Sequence, residues 1–418
     1  MTTVSDAPKA TFRLSMLIYD TRYRSMTIQV VALFAFMLMA AWLINNTAQN
    51  LAALGKPIDF GFFTERAGYD INQRLIDYSS NSSHLRASVV GLLNTLLVAV
   101  LGCALATVVG VTIGVLRLSK NWLVARIMTV YVETFRNVPV LLWIVFFMAI
   151  LIENLPPPNA FRGADPAASM LFGDSVALTN RGFYIPEPLF SRGLGDISIF
   201  GAFNVSLELL AVLAMLVGGF FAAGLIRKRA DRIQEATGVR PTTWYLRLGV
   251  IVLPVVALLY ALGFYLGYPA LKGFNFQGGI YMRNSLIALW LALSFYTAAF
   301  IAEIVRSGIL AISKGQTEAA AALGIRPNRI MSLVILPQAL RVIIPPLISQ
   351  YLNLTKNSSL AIAVGYMDIT GTLGGITMNQ TGRELECVLM LMLVYLVISL
   401  IISVVMNWYN NRVKLVER

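Results

Sequence analysis

Covalent chemistry needs particular residue types at particular spacings, and this 418-residue sequence offers few of them. Its single histidine, His84, stands in a polar stretch and reads as solvated. Cys103 and Cys387 lie in or beside apolar runs, without metal-ligand spacing, and imply no disulfide framework. There is no Gly-x4-Gly-Lys-Ser/Thr loop to cradle a nucleotide phosphate, and no Ser-His-Asp or Cys-His set assembles. No catalytic residue, metal or cofactor is therefore expected. The residues that stand out are a spaced Ala-rich stretch and charges placed within apolar segments.

One such stretch is Glu318-Ala319-Ala320-Ala321-Ala322-Leu323-Gly324, followed after a gap by Val334-Ile335-Leu336-Pro337. Four consecutive alanines favour helix. Gly324 suits a helix C-terminus, where a left-handed residue is needed. Pro327, in the turn Arg326-Pro327-Asn328, cannot continue a helix interior. Small side chains also give a short helix a smooth face that a groove on another protein can approach closely. Four alanines alone would read as an ordinary connecting helix. The fuller pattern, a spaced Gly and then Leu-Pro, sets this stretch apart as a distinct element between two apolar segments.

A second group is charged or polar where the surroundings are apolar. Arg341 lies about ten residues into an apolar segment, a depth at which a charge must be paired or face a cavity. Glu133 and Glu303 are its candidate partners, and sequence does not separate them. Glu303 and Arg306, three residues apart, can share one helix face. Pro345 and Pro346 interrupt the backbone ladder of the same segment, as a simple kink or as a bend lining a pathway. Lys356, Asn357, Ser358 and Ser359 close it.

The elements that must position these residues are set by composition. Hydrophobic residues make up 57% of the chain and charged ones 13%, with a mean hydropathy of +0.71. Ordinary globular chains carry about 25% charged residues. So little charge cannot cover a water-facing surface, and the solvent must be lipid. The net charge of +12 does not imply nucleic acid, because Lys and Arg sit in loops between apolar runs. Eight segments are long and apolar enough to span, at about 20 residues each: residues 26–44, 88–116, 139–152, 207–226, 248–266, 284–302, 331–352 and 388–408. The third is short and is expected to begin before residue 139, with Glu133 and Arg136 at its boundary. Residues 121–134 also read as an amphipathic surface helix. Residues 153–200, rich in Pro and Gly, read as a loop domain with little regular structure. The first span is too long for a signal-peptide core and reads as uncleaved. With the N-terminus inside, the inner segments hold 21 Lys and Arg and the outer ones 11. Both termini and the 318–324 loop are then expected in the cytoplasm.

The spaced pattern Glu-Ala-Ala, Gly and Leu-Pro resembles the EAA signature of ABC-importer permeases, with Val334 in place of its isoleucine. Other stretches resemble permeases of polar amino acid importers. They are Gly91-Leu92-Leu93-Asn94-Thr95-Leu96, Glu133-Thr134-Phe135-Arg136-Asn137-Val138-Pro139, and Ser294 to Glu303 with Arg306, Gly308 and Gly315-Gln316. Leu336-Pro337-Gln338-Ala339-Leu340-Arg341 with Pro345-Pro346, and Lys356 to Ala361, complete the set. Together they cover roughly half the chain. The resemblance implies an all-α, polytopic protein with a five-helix type-1 transmembrane core. An extra N-terminal span and an inserted two-helix hairpin enlarge it, as in the Q-type permeases of general L-amino-acid transporters. The expected parts are 1–87 (tail, extra helix and outer loop), 88–152 (first part of the core), 153–274 (insertion) and 275–418 (rest of the core with the coupling loop).

That family implies import of amino acids, of a broad L-range, across a bacterial inner membrane. Its partners would be a dimeric ABC ATPase, a second homologous permease and a periplasmic amino-acid-binding protein. The coupling residues would be Glu318, Ala319, Ala320, Leu323, Gly324, Leu336 and Pro337. Glu303 or Lys356, beside Asn357, Ser358 and Ser359, would hold a zwitterion, against the plainer reading of structural ion pairs. Import of another small polar solute, ion-coupled transport and a passive membrane anchor are the alternatives.

Overall fold

The computed structural model describes residues 15–163, 165–199 and 203–413. Of the charges used above to orient the chain, Lys9, Arg13, Lys414 and Arg418 lie outside the described residues. The chain divides into two compact units, Met1–Phe62 with Arg383–Glu386, and Phe63–Gly382 with Cys387–Arg418.

In the first unit, α1 (Met16–Tyr19) leads into α2 (Thr21–Ala53). With 33 residues α2 is about 50 Å long, and its apolar window is wholly unburied. Such a surface needs lipid or another chain around it. After α2 the unit is held by polar contacts: Lys56 pairs with Glu384 at 3.5 Å, and the Asp59 amide donates to the buried Glu386 carboxylate at 3.1 Å.

The second unit carries the bundle. α3 (His84–Leu116) starts at Ser83, whose hydroxyl accepts from the Arg86 amide. α4 (Trp122–Asn137) and α5 (Val140–Asn154) follow, bent by 108°. Val138 precedes a proline and is therefore extended, so the helix stops there. The single third helix expected across residue 139 is thus two helices, and the amphipathic stretch stands alone as α4. The described chain has seven helices apolar and long enough to span, or eight if this bent pair is one span.

The 153–200 segment is more regular than expected. It contains β1 (Ala177–Thr179), β2 (Gly182–Ile185), β3 (Glu187–Phe190) and β4 (Asp196–Ile199). β5 (Phe203–Ser206) then enters the helical hairpin of α6 (Leu207–Thr237) and α7 (Trp244–Ala261). The chain returns through β6 (Phe264–Gly267), β7 (Ala270–Lys272), β8 (Asn275–Gln277) and β9 (Ile280–Arg283). The outgoing and returning strands pair antiparallel and nest. β2 pairs with β9, Gly182 opposite Arg283, and β3 pairs with β6, Glu187 opposite Gly267. They form a narrow β stem under the hairpin, and the excursion closes at Arg283, past residue 274.

α8 (Asn284–Leu310) is the centre of the bundle, with 72% of its apolar window buried. Glycines let neighbouring backbones approach it. A Cβ on Gly114 of α3 would lie 2.7 Å from the Ala302 carbonyl oxygen, and one on Gly308 would lie 2.4 Å from the Ile343 side chain. After α8 come α9 (Lys314–Ala322), α10 (Pro327–Ile330), a wide turn over Met331–Ile335 and α11 (Leu336–Asn357). A tight helical turn over Ser358–Val364 and a wide one over Thr370–Thr377 lead to α12 (Met378–Thr381) and α13 (Glu384–Val413). Between α11 and α13, Ser358, Ala361, Tyr366, Asp368, Leu373 and Thr377 are buried. His84 is also buried, not solvated: its Nδ1 lies 3.0 Å from the Thr377 hydroxyl, which is 3.1 Å from that of Tyr69. The short strands are confined to the excursion, and the architecture remains that of an all-α polytopic membrane protein.

Candidate functional site

The 318–324 stretch forms α9 as its alanines dictate, and its end is built from backbone alone. The Gly324 amide donates to the Ala321 carbonyl at 2.9 Å, and the Ile325 amide to that of Ala320 at 3.3 Å. Gly324 sits at φ +75°, the left-handed residue this paired cap requires. A Cβ there would meet nothing within 4 Å, so the need for glycine is conformational and not steric. Ala320 is buried and anchors the helix, while Glu318, Ala319 and Leu323 face outward, Leu323 at 78% exposure. The result is a short, stiffly terminated helix with an apolar exposed tip. Leu336 and Pro337 open α11. Pro337 lacks the amide that would continue the ladder, and the backbone widens just before it, where the Leu336 amide donates to the Met331 carbonyl five residues back.

The buried charges pair differently from expectation. Glu303 bonds Arg117, at the end of α3, and Arg306, whose Nη1 lies 3.3 Å away. The Glu303–Arg306 pair was legible. Neither Glu303 nor Glu133 pairs with Arg341. Glu133 instead accepts from Asn137 at 3.5 Å, and the Arg341 Nε is buried without a hydrogen-bond partner. Arg136 stacks over the Phe300 ring at 5.4 Å. This side of the bundle is a cross-brace of α3, α4 and α8. Pro345 and Pro346 do not interrupt α11, which is continuous through them; its irregular turn lies upstream at Met331–Ile335. Lys356 is exposed, Asn357 and Ser359 are half-buried, and the buried Ser358 donates to the Thr355 carbonyl. Lys356 is about 20 Å along α11 from Arg341 at 1.5 Å per residue, so these groups form two clusters and not one site.

Known proteins decide what this bundle is. Residues 241–415 match the family of binding-protein-dependent transport system inner membrane components. The chain is 61% identical over 426 residues to the glutamate/glutamine/aspartate/asparagine transport system permease protein BztB of Rhodobacter capsulatus, covering 100% of both. The chain belongs to the amino acid ABC-transporter permeases. It is also 44% identical to the general L-amino acid transport system permease protein AapQ of Rhizobium johnstonii, over 97% of this chain and 96% of that one. A shorter relative, the probable glutamine ABC transporter permease protein GlnM of Bacillus subtilis, is 33% identical and matches 49% of this chain over 89% of its own length. Permeases of this family are multi-pass membrane subunits that work with a solute-binding protein and an ATPase.

One buried group in this permease escaped the sequence reading. Asp368, between the spans Pro327–Val364 and Glu384–Asn411, is fully buried. Its carboxylate accepts from the Gly371 amide at 2.8 Å and the Tyr395 hydroxyl at 3.3 Å. Burial outweighs those bonds and pushes its pKa up to about 6. Beside it, Thr95 accepts from the Ile369 amide, and Asn94 donates to the carbonyls of Gln73 and Met367. A Cβ on Gly91 would lie 2.1 Å from the Thr372 hydroxyl, so that glycine is the socket for the segment. The Asn94-Thr95 pair inside an apolar helix was the signal available in the sequence.

Proposed function

We propose that this permease couples ATP-driven closure of a dimeric ATPase to amino acid import through α9, with a second, homologous permease beside it. The observation that carries the reading is α9 itself, a short, rigidly capped helix with exposed Glu318, Ala319 and Leu323, standing at the foot of the most buried helix of the bundle. A load applied there passes into α8 and α11, which flank it in the chain. Leu336 and Pro337 sit where the wide turn joins α10 to α11, a place able to change pitch.

In this reading both termini and α9 face the cytoplasm of a bacterial inner membrane, as the distribution of Lys and Arg favours. The chain itself hydrolyses nothing. The substrates are L-amino acids of broad range, with the acidic ones and their amides among them, as the names of the two full-length relatives support. The excursion from 153 onward is an insertion into a shorter permease plan, consistent with a relative that matches only about half the chain. Its β stem and the neighbouring outer loops receive the binding protein. Glu303 acts as a structural brace with Arg117 and Arg306. Arg341, Pro345, Pro346, Lys356, Asn357, Ser358 and Ser359 line the translocation path along α11.

Reconstitution of the four components with ATP and labelled amino acids tests this. Glu318→Lys is expected to lower ATP-driven uptake by at least about tenfold while leaving the amount of permease in the membrane unchanged. Normal uptake by that variant would exclude docking through α9.

A further inference from the structure

At the end of α8 opposite α9 there is a cavity of about 390 Å³. Asn180 and Arg181 reach it from the β1–β2 turn, and Arg283 and Asn284 from the junction of β9 with α8. Met148 and Ile152 of α5 give it an apolar wall. Its volume lies in the range of small-molecule sites.

Three features of this cavity point to one ligand chemistry. The first is unbalanced positive charge. No acidic residue lines the cavity, and neither Arg181 nor Arg283 is ion-paired among the described residues. The second is the start of a 27-residue helix, where Arg283 in the capping position makes no side-chain cap bond. The first amides of α8 thus add to the positive potential. The third is a pair of orphaned acceptors. Asn284 is 3% exposed; its amide nitrogen donates to the Thr179 carbonyl at 3.3 Å, and its Oδ1 is buried with no partner. The Oδ1 of Asn180 is also buried and unpartnered. Buried polar atoms are seldom left so. The cavity therefore offers cationic donors for anions and two acceptors waiting for a donor.

We infer that this cavity binds an α-amino acid carrying a second carboxylate. The α-carboxylate meets Arg283 and the start of α8, the ammonium group donates to Asn180 and Asn284, and the side-chain carboxylate meets Arg181 at the mouth. The methylenes lie on Met148 and Ile152. The inference rests on the transport reading and adds a permease-borne subsite, away from the candidate residues of α11, that favours acidic substrates over their amides.

The test uses the complete complex in proteoliposomes, with labelled L-glutamate and L-glutamine. Arg181→Gln removes a charge-assisted bond made only by the acidic side chain, and is expected to raise the glutamate KM about tenfold relative to that of glutamine. Arg181→Lys restores part of the ratio. Arg283→Gln raises both KM values together. As a measurement independent of turnover, a Val364→Cys thiol at the cavity wall is labelled with a maleimide, and L-glutamate protects it while glutarate, which lacks the ammonium, does not. An unchanged glutamate-to-glutamine ratio in Arg181→Gln overturns the assignment. So does a thiol that never labels, or that labels equally fast with saturating glutamate. If the unaltered complex imports neither amino acid with ATP, the transport reading falls and this inference with it. Active uptake with an unchanged ratio removes the cavity alone.

Discussion

α7 and α8 have the same mean hydropathy over their most apolar windows, yet 72% of the α8 window is buried in protein and none of the α7 window is. Hydropathy therefore reports that a helix avoids water and does not report what surrounds it. Side-chain size does. α8 carries Ala288, Ala292, Ser294, Thr297, Ala298, Ala299, Ala302 and Gly308, small residues that admit neighbouring backbones. α7 presents Leu248, Val252, Leu253, Val256 and Tyr260 outward. In lipid, where apolar contact alone drives little association, close approach and polar bracing distinguish a core helix from a peripheral one.

Substitutions at the two helices are ways to break that contrast. Gly114→Val should have the largest effect, because its Cβ would lie 2.7 Å from a backbone carbonyl of α8 that cannot retreat. A cost of about 3 kcal/mol or more is expected, read as a lower melting temperature of the purified complex and loss of uptake. Glu303→Gln follows, at about 2–3 kcal/mol allowing for its partial exposure, since Arg117, with a side chain only 8% exposed, is left without its carboxylate. Gly219→Val tests whether the periphery has any close contact of its own. Its Cβ would meet the Ile251 Cα at 3.0 Å, and an effect of about 1–2 kcal/mol confined to the α6–α7 pair is expected from limited proteolysis. Leu253→Ala, on a residue 68% exposed, should move the melting temperature least, by less than about 0.5 kcal/mol in stability. A large effect there would mean that α7 is covered by a partner and is not facing lipid.

What sequence can disclose follows the range of the interaction. The apolar spans and α9 were legible because each is encoded locally, in one run of residues. The Glu303–Arg306 pair was legible for the same reason. The end of α6 at Thr237 and not near residue 226 was not, because a cationic turn stops membrane insertion without stopping a helix. His84 looked solvated beside Ser82 and Ser83, since its partners Tyr69 and Thr377 arrive from outside that run. Arg341 could not be assigned a partner because helix rotation decides which carboxylate it faces. Asn180, Arg181, Arg283 and Asn284 meet only through strand register, Gly182 opposite Arg283, which no pattern along the chain announces.

The β stem has a consequence for where α8 begins. Ile185 and Ile280 are register partners, so the excursion leaves and re-enters at strand spacing, about 5 Å. A two-residue hairpin turn bridges that gap. The start of α8 is therefore set by that rung, while the chain beyond it is tied back at separate points: Phe276 packs on Phe161 and Tyr184, at ring separations of 5.2 and 5.3 Å, and Asn204 donates to Asp77 at 2.9 Å.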